Sequence, residues 1–153
     1  MGKQFVRALT MVALLVVMSL AAAVVSANGQ ASIRTMANVP FDFVVGDSEL
    51  AAGRYQIENA TTAGDGLKIA GPEKAVFRLV FNIHQLQATD RSKLVFHRYG
   101  NRYFLAEIWI GGARDGRRLL KSRNEKAVER ELASTTKPGV QMFERVEIAL
   151  VRD

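Results

Sequence analysis

The sequence predicts a mainly β domain, an antiparallel β-sandwich or barrel of about seven to eight strands with one short α-helix in its C-terminal half. Three observations carry this reading. Short apolar-rich runs alternate with polar residues at period two. Turn residues separate these runs at close intervals. Only one stretch, late in the chain, has helical spacing and a helix-start pattern, and no strand–helix–strand rhythm recurs.

The elements follow in order. Ile33 to Val39 is a first run, closed by Pro40, and Phe41 to Val45 is a second. Gly46-Asp47-Ser48 punctuates, and Ala51-Ala52-Gly53 turns the chain again. Arg54 to Glu58 alternates, with Tyr55 and Ile57 on one side. Leu67 to Ala70 is a short strand ended by Gly71-Pro72. Ala75 to Ile83 sets Phe77, Leu79, Phe81 and Ile83 against Val76, Arg78, Val80 and Asn82. It reads as a strong strand.

Leu94 to Tyr99 and Arg102 to Ile110 flank Gly100-Asn101, a pair suited to a type II′ hairpin turn. A two-residue loop pairs His97 with Phe104, Arg98 with Tyr103 and Phe96 with Leu105. Tyr103 to Ile110 is apolar on both faces apart from Glu107, which places it centrally in the sheet. Glu107 is expected to pair with an arginine. Gly111 to Gly116 is a hairpin loop, and Arg117 to Lys121 returns as a strand. Ser122-Arg123-Asn124-Glu125 has the form of a capping box opening a helix over Arg123 to Ala133. The narrow apolar face of that helix, Ala127, Val128 and Leu132, puts it on the sheet or its rim. Pro138-Gly139 stops it, and Val140 to Val151 is a last long strand with Val140, Met142, Val146, Ile148 and Leu150 on one face and Glu144 the exception.

The first 27 residues read as an address. Lys3 and Arg7 precede an apolar run from Ala8 to Val24, and Val25-Ser26-Ala27 has the small residues of a cleavage site. Residues 1–27 are therefore expected to be a secretory signal peptide and residues 28–153 a single β-rich domain, periplasmic or extracellular, with no stable membrane anchor once cut. Its net charge is +4, against +6 for all 153 residues. There is no cysteine, so the domain has no disulfide, thiol nucleophile or thiolate-held metal.

Chemical motifs are sparse. Gly46-Asp47-Ser48 looks like a lipase block, but no Asp-x-x-His follows and no histidine lies after His97. A serine without a placed base is not activated, so the block reads as a turn between strands. Gly111 and Gly116 have phosphate-loop spacing but are followed by Arg117-Arg118, not Lys-Ser/Thr. His84 and His97 lack the neighbours of a metal site. No catalytic, cofactor or metal residues are expected. Charge is the distinct feature: residues 91–130 carry a net +7, while the flanking parts of the domain are slightly acidic. Arg114, Arg117, Arg118, Lys121, Arg123 and Lys126 are expected to offer a surface to an anionic envelope component or an acidic protein, not to nucleic acid.

Two stretches carry a resemblance to a known family. One is Val39-Pro40-Phe41-Asp42-Phe43-Val44-Val45-Gly46-Asp47 with Ala52-Gly53-Arg54-Tyr55. The other runs from Lys93-Leu94-Val95-Phe96-His97-Arg98-Tyr99-Gly100-Asn101-Arg102-Tyr103-Phe104-Leu105 to Ile108-Trp109 and Lys121-Ser122-Arg123. They resemble a family of small exported proteins of unknown function, frequent in soil acidobacteria. The resemblance implies a signal peptide and a β-rich domain, and assigns no activity or residue role. This chain has Ala51-Ala52 where that family often has a proline after the Gly-Asp turn. Three functions are consistent with the sequence: a non-catalytic exported binding or scaffolding domain, a carrier of a small apolar ligand in a closed barrel, and a hydrolase.

Overall fold

The computed structural model describes residues 2, 35–135 and 141–152. The expected signal segment, apart from Gly2, lies outside the described residues, as do Pro138, Gly139 and Val140. In chain order the elements are β1 (Thr35–Val39), β2 (Phe43–Val45), β3 (Ser48–Leu50), β4 (Gly53–Asn59), β5 (Gly66–Ala70) and β6 (Ala75–His84). They continue with β7 (Lys93–Tyr99), β8 (Arg102–Trp109), β9 (Asp115–Leu119), the helix α1 (Arg123–Thr135) and β10 (Glu144–Arg152).

The strands close into a barrel of eight. Its order is β8-β7-β10-β1-β4-β5-β6-β9, and β9 pairs back onto β8. All pairings around the barrel are antiparallel. Closure depends on how β6 and β8 share their edges. Ala75–Leu79 of β6 pairs with β5, while Val80–His84 pairs with β9. On β8, Glu107–Trp109 pairs with β9, while Phe104 is matched in parallel to Val44 of β2. The β2–β3 hairpin thus occupies the slot that β9 leaves empty. Arg78 of β6 reaches across to it, donating from Nη2 to the Ser48 hydroxyl at 3.1 Å.

Period-two alternation decides what fills the barrel. Ala37 and Val39, Tyr55 and Ile57, Leu67 and Ile69, Val76 and Val80, Leu94 and Phe96, and Leu119 and Leu150 are buried in one core. One end is sealed by aromatic rings. Phe41 stacks on Tyr103 at 3.8 Å, and Phe43 meets Tyr55 and Phe96 edge-on at 5.0 and 5.3 Å. The Tyr55 hydroxyl donates to the Ala51 carbonyl at 2.6 Å. Each such ring pair contributes about 0.5–1.5 kcal/mol beyond the area it buries. The apolar-in, charged-out alternation is the reverse of a membrane-spanning barrel's.

Most sequence expectations hold in detail. The β7–β8 hairpin has the expected register, His97 with Phe104, Arg98 with Tyr103 and Phe96 with Leu105. Gly100 has φ 59°, the left-handed value a type II′ turn requires at its first central residue. A bulge between Val95 and Phe96 follows, and from Phe104 to Trp109 every residue of β8 is buried. Three details differ. The Gly46-Asp47 turn leads into a three-residue strand, β3, too short to show periodicity. Within the last strand, Met142 lies before β10 and is exposed, since pairing with β7 starts only at Glu144. The helix runs two residues further than expected, to Thr135, and Ala127 is on its exposed side.

The only tryptophan, Trp109, reports on closure. It is opposite Gly116 of β9, and a Cβ there would come within 2.5 Å of the indole ring. Gly116→Val is therefore expected to expel the ring, with a red-shifted, quenched emission and a stability loss of about 1–3 kcal/mol in urea melts. An unshifted spectrum would contradict the packing.

Candidate functional site

Two polar constellations stand out, one at the open end of the barrel and one on its outer wall. The open end gathers the start of β1, the end of β4, the start of β5, the ends of β6 and β8 and the start of β9. Between them is a cavity of about 360 Å³. Ile57, Leu67 and Ile108 form its apolar floor, and Thr35, Asn59, Asn82, His84, Asp115 and Arg117 form much of its polar rim. Each rim group is positioned by strand register. Asn82 is opposite Arg117, and His84 is opposite Asp115. The same alternation that turns Val80 and Leu119 inward carries these pairs to the lip of the barrel.

The rim is tied across the mouth. Arg117 of β9 donates from Nη1 to the Asn59 side-chain oxygen of β4. His84 Nδ1 meets Asp115 Oδ1 at 2.5 Å. Thr35 donates its hydroxyl to the Ile57 carbonyl at 3.2 Å. A guanidinium carries five N–H donors, and Asn59 accepts from one arm, so Arg117 keeps donors for an acceptor group in the cavity.

The outer wall carries the second constellation. Glu107, only 4% exposed, is opposite Val95 on β7 and Arg118 on β9. Trp109 Nε1 donates to it at 3.0 Å, Arg118 Nη2 at 2.9 Å and Arg145 Nη2 at 3.2 Å. Burial pushes its carboxyl up, but the Trp109 and Arg118 hydrogen bonds and both guanidinium charges carry it below the usual carboxylate range. This is the arginine pairing expected for the acid that interrupts β8.

Beside it, α1 docks on the barrel. The Ser122 hydroxyl accepts from the Glu125 N–H at 3.0 Å, the first half of the expected capping box. The Glu125 carboxylate turns to the wall instead, 2.9 Å from His97 Nδ1 and accepting from the Tyr99 hydroxyl at 3.3 Å. Glu129 accepts from Tyr99 at 3.2 Å and from Lys121. Burial raises the Glu129 carboxyl, and the Lys121 bond and charge outweigh it, so the group ends below its ordinary range. Burial first, then the two carboxylates, drive the Tyr99 phenol well above its ordinary value. Val128 packs on Tyr99 and Phe104, and His97 lies on the Phe143 ring at 3.9 Å. His97 is thus a packed cross-strand residue, opposite Phe104 and bonded to its neighbours.

The outer wall is saturated. Among the described residues no buried side-chain nitrogen or oxygen lacks a partner. Glu107 is held ionised by Arg118 and Arg145 and Glu129 by Lys121, and with the Glu125 contacts to His97 and Tyr99 these bonds lock a helix to a sheet. The wall also borders a cavity of about 330 Å³, but that one is lined mainly by these mutually paired groups, whereas the mouth has an apolar floor with polar groups at its rim. The mouth is therefore the candidate site.

The six basic residues singled out from the sequence divide among three places. Arg117 is on the mouth, and Arg114 is exposed in the loop beside it, its carbonyl accepting from Gln85 N–H at 2.9 Å. Arg118 and Lys121 are on the outer wall, paired with Glu107 and Glu129. Arg123 and Lys126 are exposed on the first turns of α1. Ser48 bonds to Arg78, and its hydroxyl belongs to the hairpin seam. Among the described residues no group of three or more His, Asp or Glu could hold a metal ion. No described helix is long and apolar enough to cross a membrane. The floor residues Ile57, Leu67 and Ile108 and the rim residues Asn59 and Asn82 escape sequence reasoning, because only ring closure brings them together.

No family model, curated protein or solved structure matches this chain, so its own geometry carries the functional argument.

The depressed carboxyls at Glu107 and Glu129 give a signed prediction. A group whose folded value lies below its unfolded value stabilises the fold above the unfolded value, near 4.5. That contribution disappears as pH falls through the folded value. Glu107→Gln is expected to cost about 1–3 kcal/mol at pH near 7, with both arginines free to rehydrate. Urea midpoints of variant and wild type should converge as the pH falls below about 4. A gap independent of pH would contradict the ionised pairing.

Proposed function

We propose that this protein is a small-ligand carrier that takes an amphiphile into the open end of its barrel. The carrying observation is the asymmetry of the two ends. One is filled with interlocked aromatic rings, while the other holds a cavity of about 360 Å³ over Ile57, Leu67 and Ile108. That volume is within the range of small-molecule sites, which combine an apolar lining with a few converging polar groups. The apolar body of the ligand rests on the floor, and an acceptor-rich end, such as a carboxylate, meets Arg117 and Asn82 at the rim. A hydrolase reading has no support here: His97 is bound up with Glu125 on the outer wall, His84 is on the rim, and Ser48 is in the opposite hairpin.

Octanoate is the probe that tests this. In an amide-resolved NMR titration it is expected to shift Ile57, Leu67, Asn82, Ile108 and Arg117 together. Arg117→Gln should weaken binding by roughly tenfold, the loss of one charge-assisted hydrogen bond. No shifts, or shifts confined to another surface, would refute the carrier reading.

We also infer, from the Lys3–Ala27 pattern alone, that the domain works outside the cytoplasm. Expression of the full chain with a C-terminal tag should deliver exported protein whose N-terminus is Asn28. Intact protein retained in the cytoplasm would exclude it.

A further inference from the structure

β6 turns its bulkier face outward. Val76 and Val80 enter the core, while Phe77, Leu79 and Phe81 are each more than half exposed on the outer wall. Leu120 is exposed too, directly after Leu119, the β9 partner of Val80. Leu86, almost wholly exposed, extends the line past the end of β6 toward the mouth. Three large apolar side chains at alternate positions of one strand, with Leu120 beside the neighbouring strand, are each more than half exposed, and a grouping of this kind marks an interaction site. A strand that could satisfy the core with either face has placed the costlier one in water.

The charges beside the stripe select its partner. Two charged residues are in cross-strand register with it, one on each neighbouring strand. Lys68 of β5 is opposite Phe77, with Nζ 6.0 Å from that ring, and Arg118 of β9 is opposite Phe81. Both are cations. Their acids are withdrawn: the Arg118 side chain is 58% exposed and Glu107 5%, the Lys68 side chain 34% and Glu58 16%. The wall therefore presents apolar side chains between outward-facing positive groups. A second copy of this chain on the same face would set like charges together, and four apolar side chains are few for the ~800 Å² per partner that a stable dimer buries.

We propose that the β6 wall docks peripherally on an anionic lipid bilayer, Phe77, Leu79 and Phe81 entering the headgroup boundary and Lys68 and Arg118 meeting lipid phosphates. The stripe runs toward the mouth, so docking holds the open end of the barrel at the membrane surface. The inference does not require the mouth to bind a ligand.

Sedimentation with phosphatidylcholine vesicles, with and without phosphatidylglycerol, tests it. The wild-type protein is expected to bind the mixed vesicles, more weakly as salt rises. The combined variant Phe77→Thr, Leu79→Thr and Phe81→Thr keeps good strand formers and should lose binding by roughly a hundredfold. Unchanged Trp109 emission certifies its fold. Equal binding by the variant, or equal and salt-insensitive binding to phosphatidylcholine alone, would overturn the proposal. So would a wild-type dimer in sedimentation equilibrium that the variant dissolves while neither protein binds vesicles. Octanoate titration of the same variant reads the mouth separately, so a failure of docking and a failure of the carrier reading are distinguishable.

Discussion

Everything in this molecule depends on five residues, Asp115 to Leu119, that hydrogen-bond to β6 on one side and β8 on the other. Without β9, the sheet has two free edges and no inside. An open sheet must cover its apolar face with a second layer, and its edges invite pairing with other chains. Closure removes both problems, and it does so with the most charge-dense strand of the fold. Arg117 and Arg118 face opposite ways by the period of the strand. One arginine becomes the cation of the mouth, and the next neutralises the buried acid of the outer wall. The positive band seen in the sequence is therefore a consequence of how the barrel is closed and capped.

The ring is not closed evenly, and this asymmetry produces the two unlike ends. β9 is too short to line β6 and β8 along their whole length. At the mouth it pairs with both. Toward the other end its place is taken by the β2–β3 hairpin, inserted beside β8 in parallel and tied to β6 through Arg78 and Ser48. That hairpin brings Phe43, Val45 and Leu50 into the core, and the segment before it brings Phe41. Extra aromatic volume arrives only at that end and fills the core there, and the groove of about 590 Å³ beside it is bordered by the hairpin, the start of β8 and Asn124 and Ala127 of α1. The mouth receives nothing comparable, and its floor of Ile57, Leu67 and Ile108 stays open. Plug and cavity are two results of one mismatch in strand length.

What was legible in the sequence was local. The β7–β8 register followed from a two-residue Gly-Asn turn, whose geometry admits one pairing. The start of α1 followed from Ser122 and its bond to the Glu125 N–H. The pairing of Glu107 followed from the cost of leaving an acid uncompensated in a buried strand. What was not legible needed contacts between distant residues. Asn59 and Arg117, or Ile57 and Ile108, meet only after the ring has closed. The six basic residues are spread over the mouth, the outer wall and α1 for a related reason: adjacent positions on a strand belong to opposite faces, and the helix holds its own pair.

The phase of β6 is the clearest case of a choice the sequence leaves open. Its two alternating sets are both apolar enough to be core. Burying the aromatic set would give the larger hydrophobic gain for that strand taken alone. Register is collective, however. With Leu119 inward on β9 and Leu67 and Ile69 inward on β5, the partners of those residues on β6 must face inward as well. They are Val80, Arg78 and Val76. Turning the aromatic set inward with these pairings kept would bury Lys68 and Arg118 and expose Leu67, Ile69 and Leu119. The neighbouring strands fix the phase, and the surplus apolar surface of β6 is left where water, or a surface less polar than water, must meet it. The same inversion would take Asn82 and His84 from the mouth and point Ile83 there instead. One register thus sets both the polarity of the cavity's rim and the apolar character of the wall that runs up to it.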